Sequence, residues 1–140
     1  MVHEIKERIK QHEGFRDKVY KDSLGKRTIG YGHLCVEDFW NDDQKYLESF
    51  LNDIFEKDFK TACDNAMVLI GDKPISANAT QVIIEMVFQL GIGGVSKFKK
   101  MWEALKKEDY YTASIEMLDS RWHKQTPRRS EELARLMWSE

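Results

Sequence analysis

The longest apolar pattern in the chain constrains the fold most. Between residues 43 and 66, apolar side chains recur at the spacing of one face of an α-helix: Leu47, Phe50, Leu51, Ile54, Phe55, Phe59, Ala62 and Ala66. At about 1.5 Å per residue, such a helix is more than about 30 Å long. A helix of this length predicts a two-lobed molecule, with the helix linking the lobes.

Shorter elements flank the long helix on both sides. Before it, the patterns predict a helix over 2–13 and a β-hairpin over 15–21 and 28–33, with a turn at 22–25. After a break at 71–74, they predict helices over 79–90, 95–105 and 109–118, and a last helix that opens at Thr126-Pro127 with Thr126 as its cap. We therefore expect a mostly helical α+β fold and one domain over 1–140: a small lobe over about 14–45, a linking helix over about 46–68, and a helical lobe over about 72–140 that includes helix 2–13.

Composition narrows the class of protein. Of 140 residues, 22 are Lys or Arg and 24 are Asp or Glu, and this net charge of −2 argues against a nucleic-acid binder. No apolar run reaches the roughly 18 residues of a membrane span. The charged amino terminus lacks the apolar core of a signal peptide, which predicts synthesis in a cytoplasm. Cys35 and Cys63 have no metal-ligand spacing, and we expect thiols rather than a disulfide.

An acid occupies an apolar position in the first helix. Val2, Ile5 and Ile9 form a helical stripe whose next member is Glu13, followed by Gly14 as a helix end. Burial disfavours the charged form of a carboxylic acid and prepares it to donate a proton. The alternative is that Glu13 is the last residue of the helix and simply turns to solvent.

A second carboxylate, Asp22, lies nine residues later, and Thr28 follows after six more. Asp at a turn and Thr in a strand are both ordinary. The helix end, turn and strand can nevertheless bring Glu13, Asp22 and Thr28 around one point. Two carboxyl groups that face each other across a gap are the usual catalytic residues of glycoside hydrolases. Gly30 and Gly32 leave space beside the second strand for a ligand or another segment of the chain.

The segment EGFRDKVYKDSLGKRTIGYGH resembles the catalytic signature of phage-type lysozymes, glycoside hydrolase family 24, and most of all their T-even coliphage subgroup. MVFQLGIGGVSKF (86–98) and SRWHKQTPRR (120–129) resemble the helical lobe of the same subgroup. The resemblance implies a lysozyme-like two-lobed fold. It implies that Glu13 is the general acid, that Asp22 acts with a water and inverts the anomeric carbon, and that Thr28 helps to hold this water.

The resemblance also implies supporting residues. Arg129 would pair with Glu13, and His33 with Asp58, while three residues would contact the sugar chain: Leu34, Phe88 and Gln89. Leu34 and Phe88 are equally compatible with a core position, and Arg129 with a solvated one. Gln89 is polar within an apolar helix and needs a partner, for which a saccharide is one candidate. For Trp102 and Trp122 we expect core positions. The resemblance implies no cofactor and no metal.

The chain departs from the family pattern in several places. The small lobe is shortened after the hairpin, which predicts a more open cleft. Glu85 stands where relatives carry asparagine, and Met101 and Glu116 replace small polar residues of the cleft. We assign these three no function, although an added acid at position 85 would weaken the binding of an anionic cell wall.

These observations together predict an endolysin, a muramidase that hydrolyses the β-1,4 bond between N-acetylmuramic acid and N-acetylglucosamine in bacterial peptidoglycan. The alternatives are a lysozyme-like module that binds peptidoglycan without cutting it, and a lytic transglycosylase. We expect a monomer that reaches the cell wall after release by a separate holin-like permeabilising protein.

Overall fold

The structure, a computed structural model, describes residues 1–139 and is mostly helical with one small sheet. The elements in chain order are α1 (Val2–Glu13), β1 (Arg16–Lys21), β2 (Arg27–Gly30), β3 (His33–Leu34), α2 (Glu48–Ile70), α3 (Ala77–Ser96), α4 (Lys99–Lys106), α5 (Tyr110–Leu118), α6 (Arg121–Gln125) and α7 (Pro127–Trp138). The predicted α+β class is confirmed.

Contacts divide the chain into two compact units, Met1–Thr61 and the part from Ala62 onward. The boundary falls inside α2, so this helix contributes to both units. The first unit contains α1 and the sheet, whereas the sequence grouped α1 with the helical lobe. The arrangement as one two-lobed domain stays a prediction.

Helix α1 has the predicted bounds and buries the predicted stripe. Ile5 and Ile9 are at most 1% exposed. On the neighbouring turns, Lys6 Nζ donates to Glu56 Oε2 at 2.6 Å and Lys10 Nζ to Asn52 Oδ1 at 3.2 Å, which ties α1 to the first half of α2. Gly14 ends the helix at φ 71°, and its N–H donates to the carbonyl oxygen of Lys10.

The sheet has three antiparallel strands in the order β1-β2-β3, one more than predicted. The strand predicted over 28–33 is wrong beyond Gly30, because the chain turns at Tyr31 and Gly32 and returns as β3. Gly30 and Gly32 both have positive φ, which lets the backbone reverse so tightly. One face of the sheet buries Ile29 against Trp40 and Leu51 in a small apolar cluster.

The long helix starts later than its sequence pattern indicates. The helix predicted from residue 43 begins at Glu48, and Leu47 is 75% exposed. Phe50, in the first turn, is also exposed, whereas Leu51, Phe55 and the later members of the stripe are buried. The apolar side chains of the 39–50 segment contact one another instead: Phe39, Trp40, Tyr46 and Phe50 form a chain of ring contacts.

The second unit contains the helices α3 to α7. Helix α3 is broken by Gly91, which has φ 78°, so the turn expected after residue 90 is a kink within the assigned helix. The helix predicted over 95–105 is wrong, since the chain leaves helical geometry between Ser96 and Lys99. The short helix α6 was not predicted.

The cap predicted for the last helix is also wrong. Thr126 stands at the N-cap of α7, but its side chain caps no backbone N–H. It donates instead to the carbonyl oxygen of Trp122 at 3.2 Å. Trp122 itself is buried at 4% exposure, as expected, and Trp102 is half-buried. Within residues 1–139, neither Cys35 nor Cys63 forms a disulfide.

Among the described residues, α3 alone has the length and apolar composition of a membrane-spanning helix. Half of its apolar window is buried inside the protein, and the core helix of a globular unit has the same composition. The break at Gly91 leaves a regular segment over 77–90, which is about 21 Å long at 1.5 Å per residue. The hydrocarbon core of a bilayer is about 30 Å thick.

Candidate active site

Glu13, the last residue of α1, lies against the turn that joins β2 to β3. A Cβ atom placed on Gly32 would be 2.9 Å from Glu13 Cδ and closer still to Oε1, so a side chain at position 32 would displace this carboxyl group. The Glu13 side chain is half-buried, between the two alternatives considered from the sequence. The space predicted beside the glycine strand is therefore used by Glu13.

Asp22 is fixed by the turn that it begins. Its Oδ1 accepts hydrogen bonds from the backbone N–H of Leu24 at 2.9 Å and of Lys26 at 2.8 Å. Both bonds go to the same oxygen, so the turn orients the carboxylate and leaves Oδ2 outside these two bonds. The ordinary turn role and a chemical role are therefore compatible in one side chain.

Thr28 is buried at 3% exposure, and its hydroxyl donates to the carbonyl oxygen of Lys26 at 3.0 Å. Because the hydroxyl hydrogen is used in this bond, the oxygen presents its lone pairs as an acceptor. Thr28 is paired with Leu34 across β2 and β3, so the two side chains share one face of the sheet. Leu34 is 43% exposed, which rules out the core alternative for this residue.

His33 connects three elements of the first unit. Its Nδ1 lies 2.7 Å from Asp58 Oδ2 on α2, the pair that the resemblance implies, and its Nε2 lies 3.0 Å from Glu37 Oε1. Glu37 also accepts from the indole Nε1 of Trp40 at 2.7 Å. The hydrogen bond to Asp58 is the largest cause that raises the pKa of His33 to about 9, and it outweighs burial. Burial acts to raise the pKa of Glu37, but the bonds from Trp40 and His33 prevail and lower it.

Three predicted site residues lie in the second unit, and there Arg129 pairs with Glu85. Arg129 Nε donates to Glu85 Oε2 at 2.9 Å, and Glu85 is completely buried. Glu85 is thus not an exposed acid that would repel an anionic wall, and that expectation is wrong. The pair implied between Arg129 and Glu13 stays a prediction. The alternative of a solvated Arg129 is wrong, because Arg129 is only 8% exposed.

Gln89 has protein partners at both ends of its amide. Its Oε1 accepts from Trp122 Nε1 at 2.9 Å, and its Nε2 donates to Thr126 Oγ1 at 3.4 Å. A saccharide is therefore not needed to satisfy this polar group within an apolar helix. Phe88, the neighbouring candidate, is half-buried. Contact of either residue with a sugar chain stays a prediction.

The chain is similar to a known protein family. The family model for phage lysozyme matches residues 10–136. The chain belongs to the phage lysozyme family. Its relatives include "Probable T4-type lysozyme 2" of Dictyostelium discoideum, which is 32% identical over 93% of this chain and 91% of the relative. The "Endolysin" of Acyrthosiphon pisum secondary endosymbiont phage 1 is 30% identical over 83% of this chain and 75% of the relative. "Peptidoglycan hydrolase gp36" of Pseudomonas phage phiKMV is 25% identical over 92% of this chain but only 14% of its own length.

In this member of the phage lysozyme family, the second unit also contains a cavity of about 670 Å³. Apolar side chains, among them Phe98, Met101 and Trp122, line it together with charged ones such as Lys97, Arg121 and Glu116. Met101 and Glu116 are the residues to which the sequence assigned no function. Among residues 1–139, no cluster of three or more His, Cys, Asp or Glu side chains is arranged to hold a metal ion.

Sequence reasoning missed three residues of the site region: Glu37, Trp40 and Tyr20. Glu37 and Trp40 lie in the segment that departs from the family pattern, so no motif marked them. Tyr20 stands two residues before Asp22, and the period-2 alternation of a strand would have placed both on one face. Gly32 was recognised as a place of close approach, but the partner that approaches, Glu13, is decided by the fold.

Proposed function

We propose that this phage lysozyme is a peptidoglycan hydrolase, and specifically a muramidase that cleaves the β-1,4 bond between N-acetylmuramic acid and N-acetylglucosamine with inversion. Membership of the phage lysozyme family supports hydrolysis of peptidoglycan, and the names of two relatives, an endolysin and a peptidoglycan hydrolase, agree with it. The bond and the stereochemistry are inferred from the site and from the resemblance of its motif.

The geometry of Asp22 and Thr28 is the observation that carries this proposal. A water that donates one hydrogen to the Asp22 carboxylate and the other to Thr28 Oγ1 keeps a lone pair for attack on the anomeric carbon. Thr28 is suited to this role because its own hydrogen is bonded to Lys26. Asp22 accepts the proton as general base, and the turn holds the carboxylate while this happens.

Glu13 completes the reaction as the general acid. Its proton passes to the glycosidic oxygen as the bond to the anomeric carbon breaks, and the leaving sugar departs as an alcohol. Gly32 permits the carboxyl group to lie against the backbone of the strand turn, which limits its conformations. Inverting enzymes of this kind have their carboxyl groups roughly 6.5–9.5 Å apart, wide enough for the water.

The remaining residues serve binding and orientation in this proposal. Leu34 of the first unit and Phe88 and Gln89 of the second are the proposed glycan contacts, and Arg129, whose charge Glu85 partly offsets, is a proposed supporting residue. No cofactor takes part. The enzyme acts as a monomer on the cell wall, after synthesis in the host cytoplasm and release through a membrane permeabilised by a separate holin-like protein.

Mass spectrometry of digested muropeptides tests the reaction. Hydrolysis adds one water per cleaved bond and leaves reducing muramic acid ends, whereas a transglycosylase leaves anhydro ends and a binding module leaves the polymer uncut. Proton NMR of a fresh digest gives the anomer formed. Anhydro ends, or an intact polymer, would contradict the proposal.

Two isosteric variants test the roles of the carboxyl groups. We expect Glu13→Gln to lower kcat by at least about 10³-fold, because the acid is lost, and Asp22→Asn to lower it by at least about 10²-fold. Both keep side-chain shape, and thermal unfolding checks that they fold. Asp43→Asn, an exposed residue of the 35–47 segment, is the matched control and keeps wild-type activity. A Glu13→Gln variant with wild-type turnover would remove Glu13 from the mechanism.

A further inference from the structure

Tyr20, on the edge strand β1, lies on the sheet face that contains Thr28 and Asp22. Its backbone is paired with that of Thr28, and Thr28 in turn with Leu34, so Tyr20, Thr28 and Leu34 form a row across the three strands. Residues that are directly opposite in antiparallel strands project to the same face. Asp22 follows two residues after Tyr20, and the bond from Asp22 N–H to the carbonyl of Lys26 continues the ladder, which places Asp22 on this face as well.

The ring of Tyr20 contacts Arg16, and its hydroxyl lies within electrostatic range of both carboxylates. The guanidinium carbon of Arg16 lies 4.8 Å from the ring centroid. Burial raises the pKa of Tyr20, and the negative charges of Glu13 and, more weakly, Asp22 raise it further, while Arg16 acts in the opposite direction. A phenol in this environment keeps its hydrogen at neutral pH and can donate it.

The hydroxyl of Tyr20 makes no hydrogen bond to any of the described residues, although the side chain is half-buried. Two other tyrosines of the chain behave differently. The hydroxyl of Tyr46 accepts from the N–H of Asn41 at 2.8 Å, and that of Tyr110 accepts from the N–H of Ser76 at 2.9 Å. Tyrosine hydroxyls that are withdrawn from solvent usually find such a partner. The Tyr20 hydroxyl is therefore available to bond with a ligand on this face of the sheet.

We propose that Tyr20 is a substrate-contacting residue, whose hydroxyl donates a hydrogen bond to an oxygen of the sugar bound between Glu13 and Asp22. The inference rests on the proposed function, because it takes the glycan from it. The neighbouring acceptors on this face, the Asp22 carboxylate and Thr28 Oγ1, face the attacking water, and the Glu13 carboxyl group gives its proton to the glycosidic oxygen. Tyr20 supplies a neutral hydrogen-bond donor. Its hydroxyl can donate to a sugar ring oxygen, a sugar hydroxyl or an acetamido carbonyl.

Kinetics of Tyr20→Phe test this role, because the substitution removes only the hydroxyl and keeps the ring over Arg16. On soluble glycan fragments of peptidoglycan, we expect kcat/KM to fall about tenfold, as for the loss of one hydrogen bond of about 1.4 kcal/mol. Tyr46→Phe is the matched control. It removes a hydroxyl with a structural partner in the same unit, and we expect kcat/KM within twofold of the wild type despite a lower Tm. A Tyr20→Phe enzyme within twofold of the wild type would overturn the proposal.

Tyrosine NMR of the wild-type chain gives a second test that requires no variant. With ¹³Cζ-labelled tyrosine, five signals are expected, one for each tyrosine of the chain. Titration with chitotetraose should shift the Tyr20 signal and leave those of Tyr46 and Tyr110 in place. If the oligosaccharide shifts the Leu34 methyl signals but not Tyr20, the inference fails while the proposed function stands. If the chain releases no muropeptides at all, the proposed function fails, and a shift at Tyr20 would still support a sugar contact there.

Discussion

At the scale of single residues, Gly32 is the position where the smallest change has the largest expected effect. It has φ +77°, a conformation that L side chains rarely adopt, and the space of its absent Cβ is taken by the Glu13 carboxyl group. The carboxyl group of the proposed acid therefore lies in space that is open only because residue 32 has no side chain. A similar backbone occurs at Gly71, with φ +59°, where a Cβ would meet nothing within 4 Å.

This difference makes a matched pair of variants. We expect Gly32→Ala to lower kcat at least about tenfold, since the methyl group must displace Glu13, and to lower the free energy of unfolding by about 1–2 kcal/mol for the strained backbone. Gly71→Ala has the same backbone strain without the clash, so it should lose similar stability and keep its kcat. Turnover per folded molecule and urea unfolding separate the two effects. Full turnover in Gly32→Ala would show that the position of Glu13 does not depend on Gly32.

At the scale of elements, the irregular segment over 35–47 is held to the sheet by a charged network. Glu37 bonds to His33 on β3, His33 to Asp58 on α2, and Trp40 to Glu37. Arg27 of β2 adds a second connection, since it donates to the carbonyl oxygen of Trp40 and pairs with Asp42. The network therefore fixes a segment without regular secondary structure to both the sheet and α2.

The raised pKa of His33 gives this network a pH dependence with a definite sign. The folded protein holds the His33 proton up to about pH 9, whereas the unfolded chain releases it near 6.5. The stabilisation is therefore complete below pH 6.5 and is lost as the pH rises to about 9. We expect the loss to be about 2 kcal/mol, after a discount for the exposure of the carboxylate partners.

Urea unfolding between pH 6 and pH 10 measures this loss. His33→Asn should be less stable than the wild type at pH 6 and should lose most of the decline between pH 6.5 and 9. His3→Asn, which changes an exposed histidine of α1, should keep the wild-type decline. An unaltered decline in His33→Asn would place its origin elsewhere.

At the scale of the whole molecule, net charge decides how the protein approaches an anionic wall. The chain has a net charge of −2, and a completely buried acid, Glu85, is already paired with Arg129. A lysozyme with a large positive charge is drawn to the wall by long-range attraction, which salt screens. This chain lacks such a net attraction.

We therefore expect kcat/KM on cell walls to change less than about threefold between roughly 20 and 200 mM salt. The double variant Asp38→Lys/Asp43→Lys reverses two exposed charges at residues that have no proposed part in catalysis. It shifts the net charge by +4, from −2 to +2, and should make the salt dependence steeper. Wall-suspension clearing across an ionic-strength series measures both. A steep fall with salt in the wild type would contradict this expectation.

Much of the fold follows from local patterns. The bounds of α1, the turn at Asp22 and the presence of the long helix are visible because each depends on residues close in sequence. The errors occur where distant residues compete with the pattern. Leu47 and Phe50 continue the helical stripe in sequence. In the structure Phe50 packs against Trp40, and the helix begins only at Glu48. Thr126 has the cap position but bonds to Trp122 and Gln89.

The amino-acid sequence by itself determined the class of fold, the family, and the three residues on which catalysis is proposed to depend. It did so because helical periodicity, turn chemistry and motif spacing are properties of neighbouring residues. Only the tertiary structure decided that Glu13 lies over Gly32, that Glu85 is buried against Arg129, and that Tyr20 shares a sheet face with Asp22 and Thr28. These contacts join residues that are far apart along the chain. The free energy of each contact depends on which surfaces exclude water once the chain has folded.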